Sequence, residues 1–365
     1  MRILVVNAGS SSLKLQILQD EELVVDLNLQ RWSPAAGFSS IRDALADHGE
    51  IDAVGHRVVH GGTKFGQATL ITDSVVAYLE STVDLAPLHQ PPALAAIAAA
   101  RELLPGVPQI ACFDTAFHRS IPAAAATYAL PREWNKRWGL RRYGFHGLSH
   151  AYACGRAAEL VGREVSELRM VTAHLGAGGS LAAIDRGRSI DTTMGFTPLE
   201  GLVMATRSGS VDPGLVLWLQ SNAGYSVEEI GESLAHLSGL AGLSGTDGDL
   251  RDVLGKVDQG DKDARLAIDV YNHRLASLTG SMVTSLRGLD VLAFTGGIGE
   301  NADRVRTELA NALAYLGVDL DDEANANNGT DRVITLPTSK VAIVVVAARE
   351  DLQIASEVTT VLEST

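Results

Sequence analysis

The sequence predicts an α/β protein built from two like halves. Three observations carry this reading. Two strand–turn–strand units with small-residue tips recur at a constant offset of 168 residues. Short apolar strands alternate with amphipathic helices through the rest of the chain. The length, 365 residues, is that of two ordinary domains of about 150 residues each.

The first half opens on Arg2-Ile-Leu-Val-Val-Asn7, a buried strand, and Leu13-Lys-Leu-Gln-Ile-Leu18 returns. Between them Ala8-Gly-Ser-Ser-Ser12 is a turn rich in backbone N–H groups and hydroxyls, suited to wrapping an anion. The second half opens in the same way, with Met170-Val-Thr-Ala-His174, the tip Gly176-Ala-Gly-Gly-Ser180 and the return Leu181-Ala-Ala-Ile-Asp185. The echo predicts a two-lobed architecture in which two phosphate-gripping hairpins serve one cleft. Neither tip has G-x-G-x-x-G spacing, and each leads into a strand where a dinucleotide fingerprint needs a helix; the P-loop signature is absent.

A third glycine cluster, Thr295-Gly-Gly-Ile-Gly-Glu-Asn301, follows the apolar strand Asp290-Val-Leu-Ala-Phe294. The spacing of Val305, Leu309, Leu313 and Leu316 predicts a helix that begins near Glu300. Bare glycines ahead of a helix suit a nucleotide's base, sugar or phosphate. Further helices are predicted over 91–103, 149–162, 213–222, 261–286 and 350–362, and strands near 109–113 and 341–347. Asp212, just before Pro213, reads as a helix cap. The acidic stretches 244–262 and 319–331 read as surface loops, and 19–50 carries no sharp motif.

Composition narrows the function. A hydrophobic fraction of 46% against 20% charged residues describes a globular chain with a large core. A net charge of −14 disfavours nucleic-acid and membrane-surface partners. The longest apolar runs fall far short of the ~20 residues that span a bilayer. Two cysteines, Cys112 and Cys154, build neither a disulfide framework nor a four-thiolate site. With no charged-then-apolar leader at the N-terminus, the expectation is a cytoplasmic protein.

Several segments hold charged side chains inside glycine or proline punctuation. Arg57 lies in Gly55-His-Arg-Val-Val-His-Gly-Gly62, His89 in the proline-framed Leu85-Ala-Pro-Leu-His-Gln-Pro-Pro92, and Asp114 at the end of an apolar strand in Cys112-Phe-Asp-Thr-Ala-Phe-His118. His146 sits between Phe145 and Gly147 just before a helix, and Arg207 in Met204-Ala-Thr-Arg-Ser-Gly-Ser-Val-Asp-Pro213. His56, His60 and His118 read as structural histidines. No H-E-x-x-H or Cys/His spacing suggests a zinc site. Anion-gripping hairpins, a glycine-rich nucleotide turn, loop arginines and a strand-end aspartate are together the parts that phosphoryl transfer needs, because its catalysis is mostly positioning and charge stabilisation.

Asn7-Ala-Gly-Ser-Ser-Ser-Leu-Lys14, Gly55-His-Arg-Val-Val-His-Gly-Gly62, Phe113-Asp-Thr-Ala-Phe-His118, Tyr143-Gly-Phe-His-Gly147, Met194-Gly-Phe-Thr-Pro-Leu-Glu-Gly201 and Gly297-Ile-Gly-Glu-Asn301 resemble the acetokinase family, in order and over nearly the whole chain. The resemblance implies the two-lobed fold shared by acetate and sugar kinases, heat-shock chaperones and actin, with duplicated ribonuclease H-like domains. Residues 1–118 plus a C-terminal helix 352–365 would form the N-terminal lobe, and 119–351 the C-terminal, nucleotide-binding lobe. It also implies the reaction ATP + acetate ⇌ ADP + acetyl phosphate, with magnesium, or manganese in its stead, and a homodimer.

On this resemblance Asn7 and Glu350 match the metal positions, and Asp114, His146 and Arg207 the catalytic ones. Arg57 matches the arginine that holds the substrate carboxylate, with Val59, Leu88, Phe145 and Pro198 around the methyl group and His89 beside them. Lys14, with Ser10 and Ser12 of the first tip, serves nucleotide phosphate. His174, Leu175, Gly176, Ala177, Gly178, Asp249, Leu250, Arg251, Gly297, Ile298, Gly299, Glu300 and Asn301 form the other nucleotide segments. Acetate, with a pKa near the ~4 of side-chain carboxyls, is already ionised at neutral pH, so Asp114 is expected to orient partners, not to accept a proton.

The chain departs from the family in three places. Ala177 stands where the family's loop has asparagine, Ala205 where it has glycine, and the stretch around 19–50 is short. Two alternatives accompany the acetate reading. One is a propionate or butyrate kinase, separated from it by a methylene or two worth only ~1–3 kcal/mol. The other is a non-metabolic ATP-dependent switch of the actin or chaperone type.

Overall fold

Strand β1 (Arg2–Ala8) pairs antiparallel with β2 (Ser12–Gln19), and β2 with β3 (Glu22–Gln30). On its other side β1 runs parallel to β4 (Ala53–Val58), which runs parallel to β6 (Gln109–Phe113). The two-residue β5 (Thr69–Leu70) closes the edge antiparallel to β6. The central strands are covered on both faces, which explains their unbroken apolar runs. Leu4, Val6 and Val54 pack with Ala96, Ala99 and Ala100 of the helix Gln90–Leu103. Ile3, Val5, Ile110 and Cys112 pack with Ile354, Ala355 and Val358 of the helix Glu350–Glu363.

This computed structural model describes residues 1–9, 12–30, 42, 49–87, 89–327, 329 and 331–364. Ser10 and Leu88, both expected at the site, lie outside the described residues. The chain forms two compact units: Met1–Arg119 with Phe145–Tyr152 and Arg349–Thr365, and Ser120–Gly144 with Ala153–Ala348.

The second unit repeats the first sheet strand for strand. β7 (Arg169–Leu175), β8 (Gly179–Asp185) and β9 (Arg188–Thr192) form an antiparallel meander. β10 (Val291–Thr295) runs parallel to β7, β12 (Ala342–Val345) parallel to β10, and β11 (Arg332–Val333) antiparallel at the edge. Even the irregularity is shared: the β2–β3 ladder shifts register at Ile17/Leu18 and the β8–β9 ladder at Ala183/Ile184. The helix Lys262–Leu286 covers one face of this sheet and supplies Ile268, Tyr271, Leu275 and Met282 to its core.

The structure revises four expectations. The hairpins do not keep one offset through their tips: Ala8 pairs with Leu13, whereas Leu181 pairs with Ala173, so the glycine tip 176–178 is tighter. The glycines 296–299 are themselves helical, in Gly296–Asn301; the chain breaks at Ala302 and continues as Asp303–Ala312 and the 3₁₀ turn Ala314–Leu316. Within 244–262 lies the helix Leu250–Asp258, capped by Asp249 and burying Leu250, Val253 and Val257. Within 319–331 lies the short helix Asp322–Ala326.

His56, His60 and His118 are at most 1% exposed, and burial lowers each from the ordinary 6.5 to about 4. They are therefore neutral in the fold while the unfolded chain protonates. The stability they contribute is complete above pH 6.5 and drains away as pH falls toward about 4, by ~1.4 kcal/mol per pH unit for each histidine. Urea unfolding followed between neutral pH and about pH 5 tests this, and H56Q should remove roughly one third of the histidine slope.

Candidate active site

In the first unit, four of the expected residues meet. Arg57, next to last in β4, forks onto Asp114: Nε donates to Oδ1 at 3.2 Å and Nη2 to Oδ2 at 2.6 Å. Its Nη1 donates to Asn7 Oδ1 at 3.3 Å, and Glu350 Oε2 lies 3.6 Å from Nε. The parallel pairing of β1, β4 and β6 brings the strand ends bearing Asn7, Arg57 and Asp114 together. Glu350 is the first residue of its helix.

Burial opposes the charge on Arg57, but Asp114 and Glu350 outweigh it and hold the guanidinium above its ordinary pKa. Burial pushes the Asp114 carboxyl up and Glu350 pushes it further, against the pull of Arg57. The group therefore carries two carboxylates, one amide oxygen and one guanidinium, an oxygen-rich set with one negative charge in excess. Lys14, opposite Asn7 in register, lies 3.8 Å from Asp26 and remains 41% exposed.

The backbone after Asp114 is fixed by the segment that carries His146. Asp114 N donates to Val58 O at 3.1 Å, and Asp114 O accepts from Gly147 N at 2.9 Å. A Cβ at 147 would overlap the Asp114 carbonyl oxygen, so only glycine allows this approach. His146 is left-handed, with φ 56°, an uncommon conformation for a residue with a side chain. Val59 and Phe145 are both buried, and the Phe145 ring meets His60 edge-on at 5.8 Å. His89 precedes the helix Gln90–Leu103, whose Gln90 Nε2 donates to His60 O at 3.1 Å. Gly147→Ala should move Asp114 off Arg57 and lower kcat ~10²-fold, with intact circular dichroism as the check on folding.

In the second unit, the tip 176–178 is closed by Gly176 N donating to Gly178 O at 2.9 Å. Ala205 N donates to Ala177 O at 3.0 Å, so the two departures from the family pattern touch one another. His174 pairs with Thr295, and Gly296, at φ 78°, packs its Cα against the Leu175 carbonyl, where a Cβ would stand 2.7 Å from the oxygen. This close approach draws 174–178 and 296–301 into one glycine-lined patch, and no described atom lies within 4 Å of a Cβ built at Gly297. Arg306, fully buried, holds the end of that short helix by donating to Gly299 O at 2.8 Å and Glu300 O at 2.9 Å.

Arg207 donates to Pro198 O at 3.1 Å and contacts Met204 Sδ at 3.8 Å. Among the described residues it makes no ion pair with a carboxylate, and burial lowers its pKa. The Pro198 loop is itself pinned, because Glu200 accepts from Arg142 Nη2 and from Tyr128 OH, each at 2.6 Å. Arg251, by contrast, is 90% exposed and folded back on Asp249. A groove of about 470 Å³ between the helices Lys262–Leu286 and Asp303–Ala312 is lined by none of the expected residues.

A duplicated sheet of this topology, with an oxygen-rich cluster in one unit and glycine-lined turns in the other, defines a two-domain kinase fold. The structure superposes on Porphyromonas gingivalis acetate kinase with TM-score 0.92 at 37% identity, covering 99% of each chain. It superposes equally on a propionate kinase from Francisella tularensis, with TM-score 0.92 at 37% identity over 98% of this chain and 99% of that one. Acetate kinase of Fervidobacterium nodosum is 44% identical over 398 aligned positions, covering 100% of this chain and 98% of that protein. The Acetokinase family model matches residues 35–356. This chain belongs to the acetokinase family.

Proposed function

We propose that the chain is an acetate kinase that transfers the γ-phosphoryl group of ATP directly to acetate, giving acetyl phosphate and ADP. The observation that carries this reading furthest is Arg207, a half-buried cation that makes no ion pair with a carboxylate among the described residues. Such a charge is costly until an anion arrives, and a phosphoryl group spreading charge over three oxygens is a fitting one. Arg57 takes the acetate carboxylate, with Val59 and Phe145 around the methyl group. Asp114 holds the Arg57 fork in plane, and His146 and Arg207 stabilise the flat phosphoryl group.

Family membership implies a divalent ion. Asn7 and Glu350 offer the oxygen donors that magnesium or manganese prefers, and the excess negative charge of their cluster favours a cation. No group of three or more His, Cys, Asp or Glu able to hold a metal occurs among the described residues. When bound, it neutralises phosphate charge as the bond breaks. The backbone N–H groups of 176–178 and the patch at 296–301 hold the nucleotide, with Lys14, Ser12 and Arg251 at its phosphates.

Release of ADP that depends on acetate and a divalent ion tests the reading. Comparing kcat/KM for acetate, propionate and butyrate separates it from the propionate kinase alternative, which the Francisella structure keeps open; acetate should rank first. The protein also acts as a homodimer in this proposal. The helix Pro213–Asn222 buries none of its residues and exposes Leu215, Leu217 and Trp218, with Val227 and Leu237 nearby in sequence also exposed. Sedimentation should give twice the chain mass, and L217E with W218E half of that. The proposal includes a cytoplasmic setting, which the two free, buried cysteines suit; no described helix is long and apolar enough to cross a membrane.

A further inference from the structure

Sequence reasoning leaves His118 as a structural histidine. Its surroundings give it more to do. His118 lies in the turn Phe117–Ser120, four residues beyond Asp114, and is completely buried. Its Nε2 lies 2.9 Å from the carbonyl oxygen of Phe145. A carbonyl oxygen only accepts, so Nε2 carries the proton. Burial lowers the imidazole to about 4, which keeps it neutral, in the Nε2–H tautomer, at neutral pH.

The peptide group it grips is the one that leads into His146. That residue is left-handed, and its other side is anchored by Gly147 N donating to Asp114 O. The segment 114–118 therefore holds residues 145–147 at two points, one on either side of His146, whose own carbonyl accepts from His150 N at 2.9 Å. His118 restrains the Phe145 carbonyl and Asp114 the Gly147 amide, with His146 in between. Of these bonds, the one from His118 is the one made to the peptide that precedes His146, and it opposes relaxation of that peptide toward the ordinary φ range. The same bond holds the backbone of Phe145, whose ring lies edge-on to His60.

We propose that His118 is a positioning residue for phosphoryl transfer: its Nε2–H bond to the Phe145 carbonyl sets the conformation that aims His146 and seats Phe145. The proposal rests on the transition-state role of His146 given above. A loss of aim of about 1 Å costs on the order of 10²-fold in rate, without cost to nucleotide binding.

Three variants separate the possibilities. H118L removes the donor and should lower kcat ~10²-fold while leaving the KM for ATP within about two-fold. H118Q returns an N–H donor close to the Nε2 position and should recover most of the lost kcat. H146A, measured alongside, should lower kcat at least as far as H118L does. The proposal is overturned if H118L turns over at a near-wild-type rate while H146A is impaired, or if H118L and H118Q are equally slow. An H146A of normal activity would instead refute the role of His146 itself. Should H118L fail to fold, H118N decides the question, because its shorter amide falls short of the Phe145 carbonyl: it should remain as slow as expected for H118L, and recovery matching H118Q would overturn the proposal.

Discussion

Arg207→Ala should lower kcat by ~10³ or more and leave nucleotide affinity nearly intact. The asymmetry follows from the surroundings of this guanidinium. Its described partners, the Pro198 carbonyl and the Met204 sulfur, fix its direction without cancelling its charge. An anchored cation without an ion-pair partner gains most when charge spreads onto the equatorial oxygens, and little from the ground-state nucleotide, whose proposed contacts are the glycine turns with Lys14, Ser12 and Arg251. The Pro198 loop keeps its shape in the variant because Glu200, Arg142 and Tyr128 hold it independently of Arg207. Steady-state kinetics with varied ATP and saturating acetate is the check. A large rise in the KM for ATP with unchanged kcat would make Arg207 a nucleotide-binding residue instead.

Asp114→Asn should produce the second large effect. Removing one partner of a buried ion pair costs about 3–5 kcal/mol, and since Arg57 keeps one-fifth of its surface exposed, ~2–3 kcal/mol is the fitting range. Expressed in catalysis that is ~10²-fold in kcat/KM for acetate. Asparagine retains one acceptor but not the fork, so Arg57 is left to Asn7 and Glu350. The pH profile discriminates between roles. Acetate is ionised at neutral pH, so the residual activity of D114N should follow the wild-type profile above about pH 6. Loss of a titrating limb in the variant would mean that Asp114 accepts a proton after all.

Elements with strong local signals were legible in the sequence. β6 was visible as an apolar run, and the helix Pro213–Asn222 was marked by Asp212, whose Oδ1 accepts from Gly214 N at 2.9 Å. The helix Leu250–Asp258 carried its signal too, an Asp cap followed by Leu250, Val253 and Val257 on one face, but the acidic residues around it masked the periodicity. The helical state of Gly296–Asn301 was not legible, because glycine is a poor helix former and the element is held from outside by Arg306.

The site divides along the same line. Arg57 and Asp114 were conspicuous by residue type and punctuation, Asn7 and Glu350 were reached through the family resemblance alone, and parallel pairing with a docked helix gathers all four. What fixes them was hidden. The need for glycine at 147 arises from a backbone 33 positions earlier. The grip of His118 on Phe145 spans 27 positions and leaves no trace in local pattern. Ser10 and Leu88 lie outside the described residues, and their roles rest on the family resemblance.

The central claim is that the arginine of the oxygen-rich cluster receives a carboxylate and that the product is an acyl phosphate. Trapping with hydroxylamine tests it most directly. Wild-type protein given ATP, acetate and magnesium should form acetyl hydroxamate in a one-to-one ratio with ADP, and Arg57→Ala should lose both together. ADP released without hydroxamate, at a rate indifferent to acetate, would contradict the account and leave the protein an ATP-hydrolysing switch.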